Sequence, residues 1–465
     1  MRSSCFSRSA IACAVLALAA CASLAPPYER PPAPVASTFP NAEAAAGGTV
    51  PAAELPWQDY FVDGRLQQLI ALALDTNRDL RAAVLNLETA SAAIQARRAD
   101  LYPTIGVGAT GLRQPGLGGG TTSLYTAGLA LSSYELDFFG RIRSLTNAAA
   151  AQYLATVEAR KATQIALIAS VATLHFALGA DEALLALTER TLASRVESAR
   201  LTQLRFDNGV ASELDLRLAE SLVEAARVAL SQQRRQRELD QNALVLLVGQ
   251  PLSAALAAVA PFDTQSLADL PAGLPSEVLL RRPDVRQAEQ ELIAANANIG
   301  AARAAFWPSI TLTASAGVAS TELSRLFSNG GAWSFAPQLF QPIFDAGRNR
   351  ANLRIAEGRR EIAVAQYERA IQAAFRDVAD ALAGRATLDE QLRAVQAQAQ
   401  AEQGRFKLSE LRFESGVSSS LELLDAQRSL FGAQQAVVQT QLALLQNRVA
   451  LYRALGGGWT ESAAQ

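Results

Sequence analysis

Cysteine, histidine and methionine are nearly missing from this chain. Its 465 residues contain three Cys, one His and one Met, and the cysteines stand at positions 5, 13 and 21. Beyond Cys21 no disulfide can form. A soft metal site, or catalysis by Cys or His, is nearly excluded by inventory. Asp377 and Asp380 lie at helical i,i+3 spacing, but no nucleophile accompanies them, so the chain does not read as an enzyme. Excess positive charge is missing too, with 42 Lys and Arg against 44 Asp and Glu. That leaves no electrostatic footprint for nucleic acid. Nor is there a convincing transmembrane helix. Ala162 to Ala180 is uncharged but carries Thr163, Gln164, Ser170, Thr173 and His175, and reads as the buried part of a longer helix with His175 a satisfied interior residue.

The first twenty residues read as a signal peptide. Arg2 and Arg8 precede an apolar run, Ile11 to Ala20, too short to span a bilayer. The run ends in Leu18-Ala19-Ala20-Cys21, which resembles a bacterial lipobox. Cys21 is therefore expected to carry a diacylglycerol and an N-acyl chain, and Ala22 in place of Asp favours the outer membrane. No other cofactor is expected. Residues 21–56 are rich in Pro and read as an extended tether from lipid to body.

The rest is a duplication. Leu204-Arg205-Phe206-Asp207-Asn208-Gly209-Val210 returns 207 positions later as Leu411-Arg412-Phe413-Glu414-Ser415-Gly416-Val417, and nine of the sixteen positions from Leu204/Leu411 to Ala219/Ala426 are identical. Residues 57–260 and 276–465 form the two copies, joined by a linker at 261–275. Each copy begins with a helical stretch. Trp57 to Asp100 carries a heptad seam at Leu80, Val84, Leu87, Ser91 and Ile94, and its counterpart runs from Arg282 to Pro308.

After Pro103 and Pro308 the period drops to two. Ile105, Val107 and Ala109 alternate with polar or small residues, as do residues 309–318. A Gly-rich loop and a second alternating run follow in each copy, around Tyr125 to Leu131 and Trp333 to Leu339, although Pro337 weakens the last strand. Four such strands suit an outer-membrane barrel but cannot close one, so the barrel must be shared between chains, with eight strands for two copies and twelve for three. Beyond each strand pair Pro disappears, from Arg141 to Gln250 and from Arg348 to the end. A helix over the 68 residues from Arg141 to Asn208 would extend about 100 Å, roughly three times the hydrocarbon thickness of a bilayer. Each long helix folds back at Gly209 or Gly416, residues suited to the left-handed turn that ends helices.

Several stretches taken together resemble one family. They include Asn77-Arg78-Asp79-Leu80, Tyr134 through Arg141, Arg281-Arg282-Pro283-Asp284, Leu424-Asp425-Ala426-Gln427-Arg428 and Leu455-Gly456-Gly457-Gly458-Trp459. The family is the lipoprotein outer-membrane factors of resistance-nodulation-division efflux pumps, of NodT type within the TolC superfamily. The resemblance covers essentially the whole chain.

It implies an α+β membrane protein: a homotrimer sharing a twelve-stranded β-barrel, four strands per chain, above a long periplasmic α-helical coiled-coil barrel. It implies a passive exit duct that receives drugs or toxic compounds from an inner-membrane pump through a periplasmic adaptor. The adaptor would dock on the tips, here Arg205, Gly209, Val210 and Ser212 with Arg412, Gly416, Val417 and Ser419. The gate would be Leu421, Asp425 and Arg428. The first copy keeps Leu214 but has Leu218 and Ser221 at the other two places. From the residues alone, Asp425 and Arg428 read as a surface ion pair worth about 0.2–0.5 kcal/mol; the gate reading is what the resemblance and their absence from the first copy imply. A type I secretion or metal-efflux outer component, and a poreless periplasmic coiled-coil scaffold, stand as the alternatives.

Overall fold

The computed structural model describes residues 23–40, 55–115, 119–257, 267, 268, 270, 276–328 and 330–459. The signal peptide, Cys21 and most of the linker lie outside the described residues. The chain divides into two compact units, and each takes segments from both halves of the sequence.

The first unit comprises Leu85–Glu158 and Arg286–Arg369 together with the N-terminal segment up to Ala33. It contains one antiparallel sheet of order β1-β2-β3-β4: β1 Ile105–Pro115, β2 Thr121–Leu136, β3 Ser309–Ser320 and β4 Gly331–Phe340. The alternating patterns on either side of the Gly-rich loops therefore form the strands expected. β4 runs straight through Pro337, which a strand paired on one side within the chain tolerates.

Register sorts the sheet into two faces, because directly opposed residues share a face. One face carries Val107, Leu129, Ala316 and Trp333 in one row, and Ile105, Leu131, Ala314 and Phe335 in the next. The other carries Gly108, Gly128, Gly317 and Ala332, then Thr110 opposite Thr126 and Ser315 opposite Ser334, each hydroxyl pair at 2.7 Å. So the middle rows are apolar on one face and small or polar on the other, while towards the β1–β2 loop the sorting lapses, with Arg113 opposite Ser123 on the first face and Leu112 opposite Leu124 on the second. A bulge between Leu131 and Tyr134, with Ser133 at φ 54°, absorbs an extra step and keeps Tyr134 and Leu136 on the apolar face. Of all the strand residues, Ser320 alone is buried, and β1 and β4 each have a free edge.

The N-terminal segment is seated along helix Pro283–Ala304. Arg303 donates to the Leu24 carbonyl at 3.4 Å, Asn296 to that of Pro26 at 2.8 Å, and Arg30 forms a two-pronged ion pair with Glu289 at 2.6 and 3.0 Å. Gly300 lets the two backbones touch, since a Cβ there would stand 2.8 Å from the amide nitrogen of Ala25. The expected extended tether is thus a strap bound to a helix, and Arg303 takes part in holding it.

The second unit holds Pro34–Val84, Ala159–Val285 and Ala370–Gln465. Over both units, in chain order, the helices are α1 Gly64–Thr76, α2 Arg78–Ala99, α3 Arg141–Asp207, α4 Glu213–Val248, α5 Pro283–Ala304, α6 Arg348–Glu414 and α7 Ser420–Ala454, with single turns at Trp57–Tyr60 and Ala254–Ala257. The continuous helix expected from Trp57 to Asp100 is broken instead. Asn77 leaves helical geometry, accepts from the Leu80 amide at 2.8 Å and donates to the Leu247 carbonyl at 2.8 Å. Its side chain offers the backbone a cap, which outcompetes continuation. Asp63 caps α1 through the amides of Arg65 and Leu66, and its other oxygen meets His175 at 3.0 Å. The lone histidine is thus satisfied and buried. Its hydrogen bond holds the Asp63 carboxyl down at about 2.

The uncharged stretch 162–180 lies within α3, where Ile165, Ile168, Val171, Ala172 and Phe176 are buried. Tyr60 stacks on Tyr452 at 4.1 Å, and their hydroxyls donate to the carbonyls of Arg448 and Leu55. Buried Arg282 donates to the Ala454 carbonyl at 2.9 Å and pairs with Asp284 and Asp377. Asp377 and Asp380 also share Arg376, so the two acids of i,i+3 spacing are ion-pair members.

One strained pairing links α3 and α4. The buried Asp181 carboxyl faces Asp240, and burial together with that negative neighbour pushes it up to about 7. A raised carboxyl pKa means that the folded chain holds a proton which the unfolded chain releases. This contribution is complete below the ordinary value near 4 and declines as pH rises towards 7. Asp181→Asn should flatten that slope and stabilise the protein at pH 8 by about 1–2 kcal/mol, read as the midpoint of thermal unfolding at pH 5 and pH 8. An unchanged slope would refute the assignment.

Candidate functional site: the helical tips and the Asp425 brace

α3 and α6 are each 67 residues long and start 207 positions apart, so the repeat holds without a gap from Arg141/Arg348 to the tips. Both tips end alike. Gly209 and Gly416 take φ 72°, and the Val210 and Val417 amides reach back to the carbonyls of Arg205 and Arg412 at 2.8 and 2.9 Å. That is the doubly bonded turn expected of a left-handed glycine cap. Beyond it the copies differ. Ser212 and Asp215 form a reciprocal capping box on α4, whereas Ser419 caps α7 without a side-chain bond. Asp215 also accepts from Ser420 of the second hairpin, so one carboxylate ties the two tips together. The Ser212 and Ser420 hydroxyls hold its pKa down.

The predicted docking residues divide by exposure. Val210 is 77 % exposed and Val417 69 %, joined by Leu214 at 78 % and Leu421 at 60 %, an apolar set that the chain itself leaves open. The two arginines are engaged. Arg205 lies 3.9 Å over the Phe413 ring and donates to the Phe413 carbonyl at 3.3 Å, and Arg412 pairs with Glu422 at 3.5 Å.

One and two turns further along α7 come Asp425 and Arg428, which form the expected ion pair at 2.7 Å. Sequence reasoning missed a third member. Arg405 of α6 donates to the other oxygen of Asp425, and also meets Glu402 at 3.2 Å and the Ser429 hydroxyl at 3.4 Å. Asp425 therefore crosses between the two helices of its hairpin, and the Arg405 hydrogen bond holds its carboxyl below the usual range. Leu421 stands exposed on the same helix, outside this ionic cluster. The signal for Arg405 was present: like Asp425 and Arg428 it is absent from the first copy, where Ser198 occupies the matching position.

The sequence pattern of the family described as "Outer membrane efflux protein" matches residues 69–250 and again 274–457. A protein of Pseudomonas putida, "Toluene efflux pump outer membrane protein TtgC", is 47% identical over 454 residues, covering 95% of this chain and 94% of its own. "Outer membrane protein OprJ" of Pseudomonas aeruginosa is 46% identical over 470 residues, covering 99% and 98%. Among solved structures, the open state of the Neisseria gonorrhoeae MtrE outer membrane channel superposes with a TM-score of 0.86 at 42% identity, over 96% of this chain and all of that one.

Proposed function

The chain belongs to the outer membrane efflux protein family, and from that premise we propose that three copies close one twelve-stranded barrel, the mouth of a passive exit duct in a tripartite pump. The observation that carries this reading is the sheet. It is a single layer whose middle rows are apolar on one face and small or polar on the other, with a free edge on either side. In lipid an open edge leaves backbone groups unpaired at several kcal/mol each, so β4 of one copy must meet β1 of the next. The apolar face then meets lipid and the polar face lines the duct.

Helices of 67 residues outreach any bilayer and serve as a periplasmic tunnel. Its tips, with open Val210, Leu214, Val417 and Leu421 beside Arg205, Gly209, Ser212, Arg412, Gly416 and Ser419, receive the adaptor protein that joins the duct to an inner-membrane pump of the resistance-nodulation-division class. A lipid on Cys21 anchors the strap in the membrane. The cargo is small toxic compounds, in keeping with a relative named for toluene efflux.

The test is reconstitution of the purified full-length protein in planar bilayers, paired with drug and solvent susceptibility of a deletion strain. Stepwise single-channel conductance and a sensitised deletion strain are expected. A protein that binds membranes without conducting would instead be a poreless scaffold.

A further inference from the structure

The internal repeat also specifies how neighbouring copies meet. Within one chain the first hairpin (α3, α4) touches the second (α6, α7) through side-chain contacts that include three near the tips, with Arg195 of α3 over the Phe431 ring of α7 at 5.4 Å a turn further from them. Arg205 of α3 covers the ring of Phe413 on α6 at 3.9 Å. Gln427 of α7 donates to Ser198 of α3 at 2.9 Å. Ser420 of α7 donates to Asp215 of α4. If copies close into a ring, hairpins alternate around it, and the second hairpin of one copy faces the first hairpin of the next. Moving each contact by 207 positions generates that boundary.

The first contact regenerates itself: Arg205 on Phe413 becomes Arg412 on Phe206 of the neighbouring copy. Phe413 is buried under its arginine at 8 % exposure, while Phe206 is left open at 37 %. An open phenylalanine at the position where its twin is capped by arginine is the surface such a contact would cover. The second contact changes chemistry. Gln427 and Ser198 become Glu220 and Arg405, so a neutral hydrogen bond inside the chain is replaced by opposite charges between copies. Both side chains have room for it: Glu220 is 45 % exposed with Arg217 of its own helix beside it, and Arg405 is 41 % exposed. The third becomes Glu213 beside Glu422, each with an arginine at hand: Arg217 at 3.3 Å and Arg412 at 3.5 Å.

We infer that neighbouring copies join at the tips through Arg412 stacked on Phe206 and Arg405 paired with Glu220, so that an ion pair between copies stands where a chain has the neutral Gln427–Ser198 hydrogen bond within itself. This rests on the oligomeric reading above. It places Arg405 at a junction of two partners, Asp425 in its own hairpin and Glu220 across the boundary.

The near-absence of cysteine makes the test clean. Full-length protein carrying Glu220→Cys with Arg405→Cys, or Phe206→Cys with Arg412→Cys, is oxidised in outer-membrane fractions and run on denaturing gels without reductant. A ladder of linked copies that reductant collapses is expected for both pairs. Ser198→Cys with Gln427→Cys should link within a chain and give no ladder. In parallel, Arg405→Glu and Glu220→Arg should each lower the midpoint temperature of oligomer dissociation, and the double exchange should recover most of the loss. Protein that is oligomeric by light scattering but yields no ladder from either pair, and no recovery in the double exchange, overturns the inference while leaving the oligomer standing. Protein that is monomeric by light scattering overturns both.

Discussion

Replacing Asp425 by alanine should raise the conductance of the reconstituted duct and shorten its closed periods. Asp425 accepts Arg428 from its own helix and Arg405 from the facing helix, so its loss releases both arms at once. The cluster is partly exposed, so each arm is weak by itself. In the proposed oligomer the copies release their arms together, so the ratio of open to closed should rise by roughly tenfold or more.

The geometry ranks the single variants. Arg405→Ala cuts the arm that ties α6 to α7 and should nearly match Asp425→Ala. Arg428→Ala removes an i,i+3 pair on one helix, leaves the cross-helix arm in place and should be milder. Equal effects of Arg428→Ala and Asp425→Ala, with Arg405→Ala silent, would put the restraint elsewhere. Acid should reproduce the alanine variant at the low end of the scale. Because Arg405 holds the carboxyl down, the brace is intact above the ordinary carboxylate value and is lost as pH falls below it. Single-channel recordings of the three variants, repeated across an acid series, measure both effects.

The features that were legible in the sequence are those written as a period or a repetition. The period of two after Pro103 and Pro308 became strands, because side chains alternate faces whatever lies beyond them. The Pro-free stretches became helices, and the repeated Leu-Arg-Phe stretch became two tips of the same geometry. What stayed hidden depends on single side chains in competition with the pattern, or on contacts between distant residues. The helical stretch read from Trp57 to Asp100 runs through Asn77, yet its amide side chain caps α2 and breaks the helix there. The bulge at Ser133 has no cost visible in composition, since an extra serine beside Ser132 looks like part of the polar alternation. Pro337 argued against a strand that forms, because the ladder rule bears on central strands and β4 is paired on one side within the chain. The strap along α5 depends on Gly300, a small residue in a helix whose neighbour in space is 275 positions away in sequence. Arg405 was hidden by proximity thinking: a motif read along one helix does not include the partner helix, although comparison of the two repeats would have picked it out.

The junction between the repeats within the sheet is where a single added methyl group should do most damage. Gly128 of β2 and Gly317 of β3 face each other on the small, polar face, and the β2–β3 ladder joins the strands of the first copy to those of the second. A Cβ on Gly128 would stand 2.4 Å from the Ala316 carbonyl oxygen, and one on Gly317 would stand 2.1 Å from that of Ala127. Backbone atoms at such distances cannot yield by rotating a side chain. The strands must separate, which strains or breaks ladder bonds in addition to the usual overpacking cost of about 1–3 kcal/mol, repeated in every copy of a shared barrel. Gly128→Val or Gly317→Val should therefore leave the helical circular dichroism signal largely in place while abolishing the heat-resistant oligomer and outer-membrane insertion. Gly108 supplies the control. It lies directly opposite Gly128 on the other side of β2, on the same face, yet nothing stands within 4 Å of a Cβ built there. Gly108→Val should assemble nearly as well as the parent chain. If all three variants insert and migrate alike, the close approach of β2 and β3 is not what holds the two repeats in one sheet. If all three fail alike, valine is excluded from this face for a reason other than backbone contact, such as the width of the lumen.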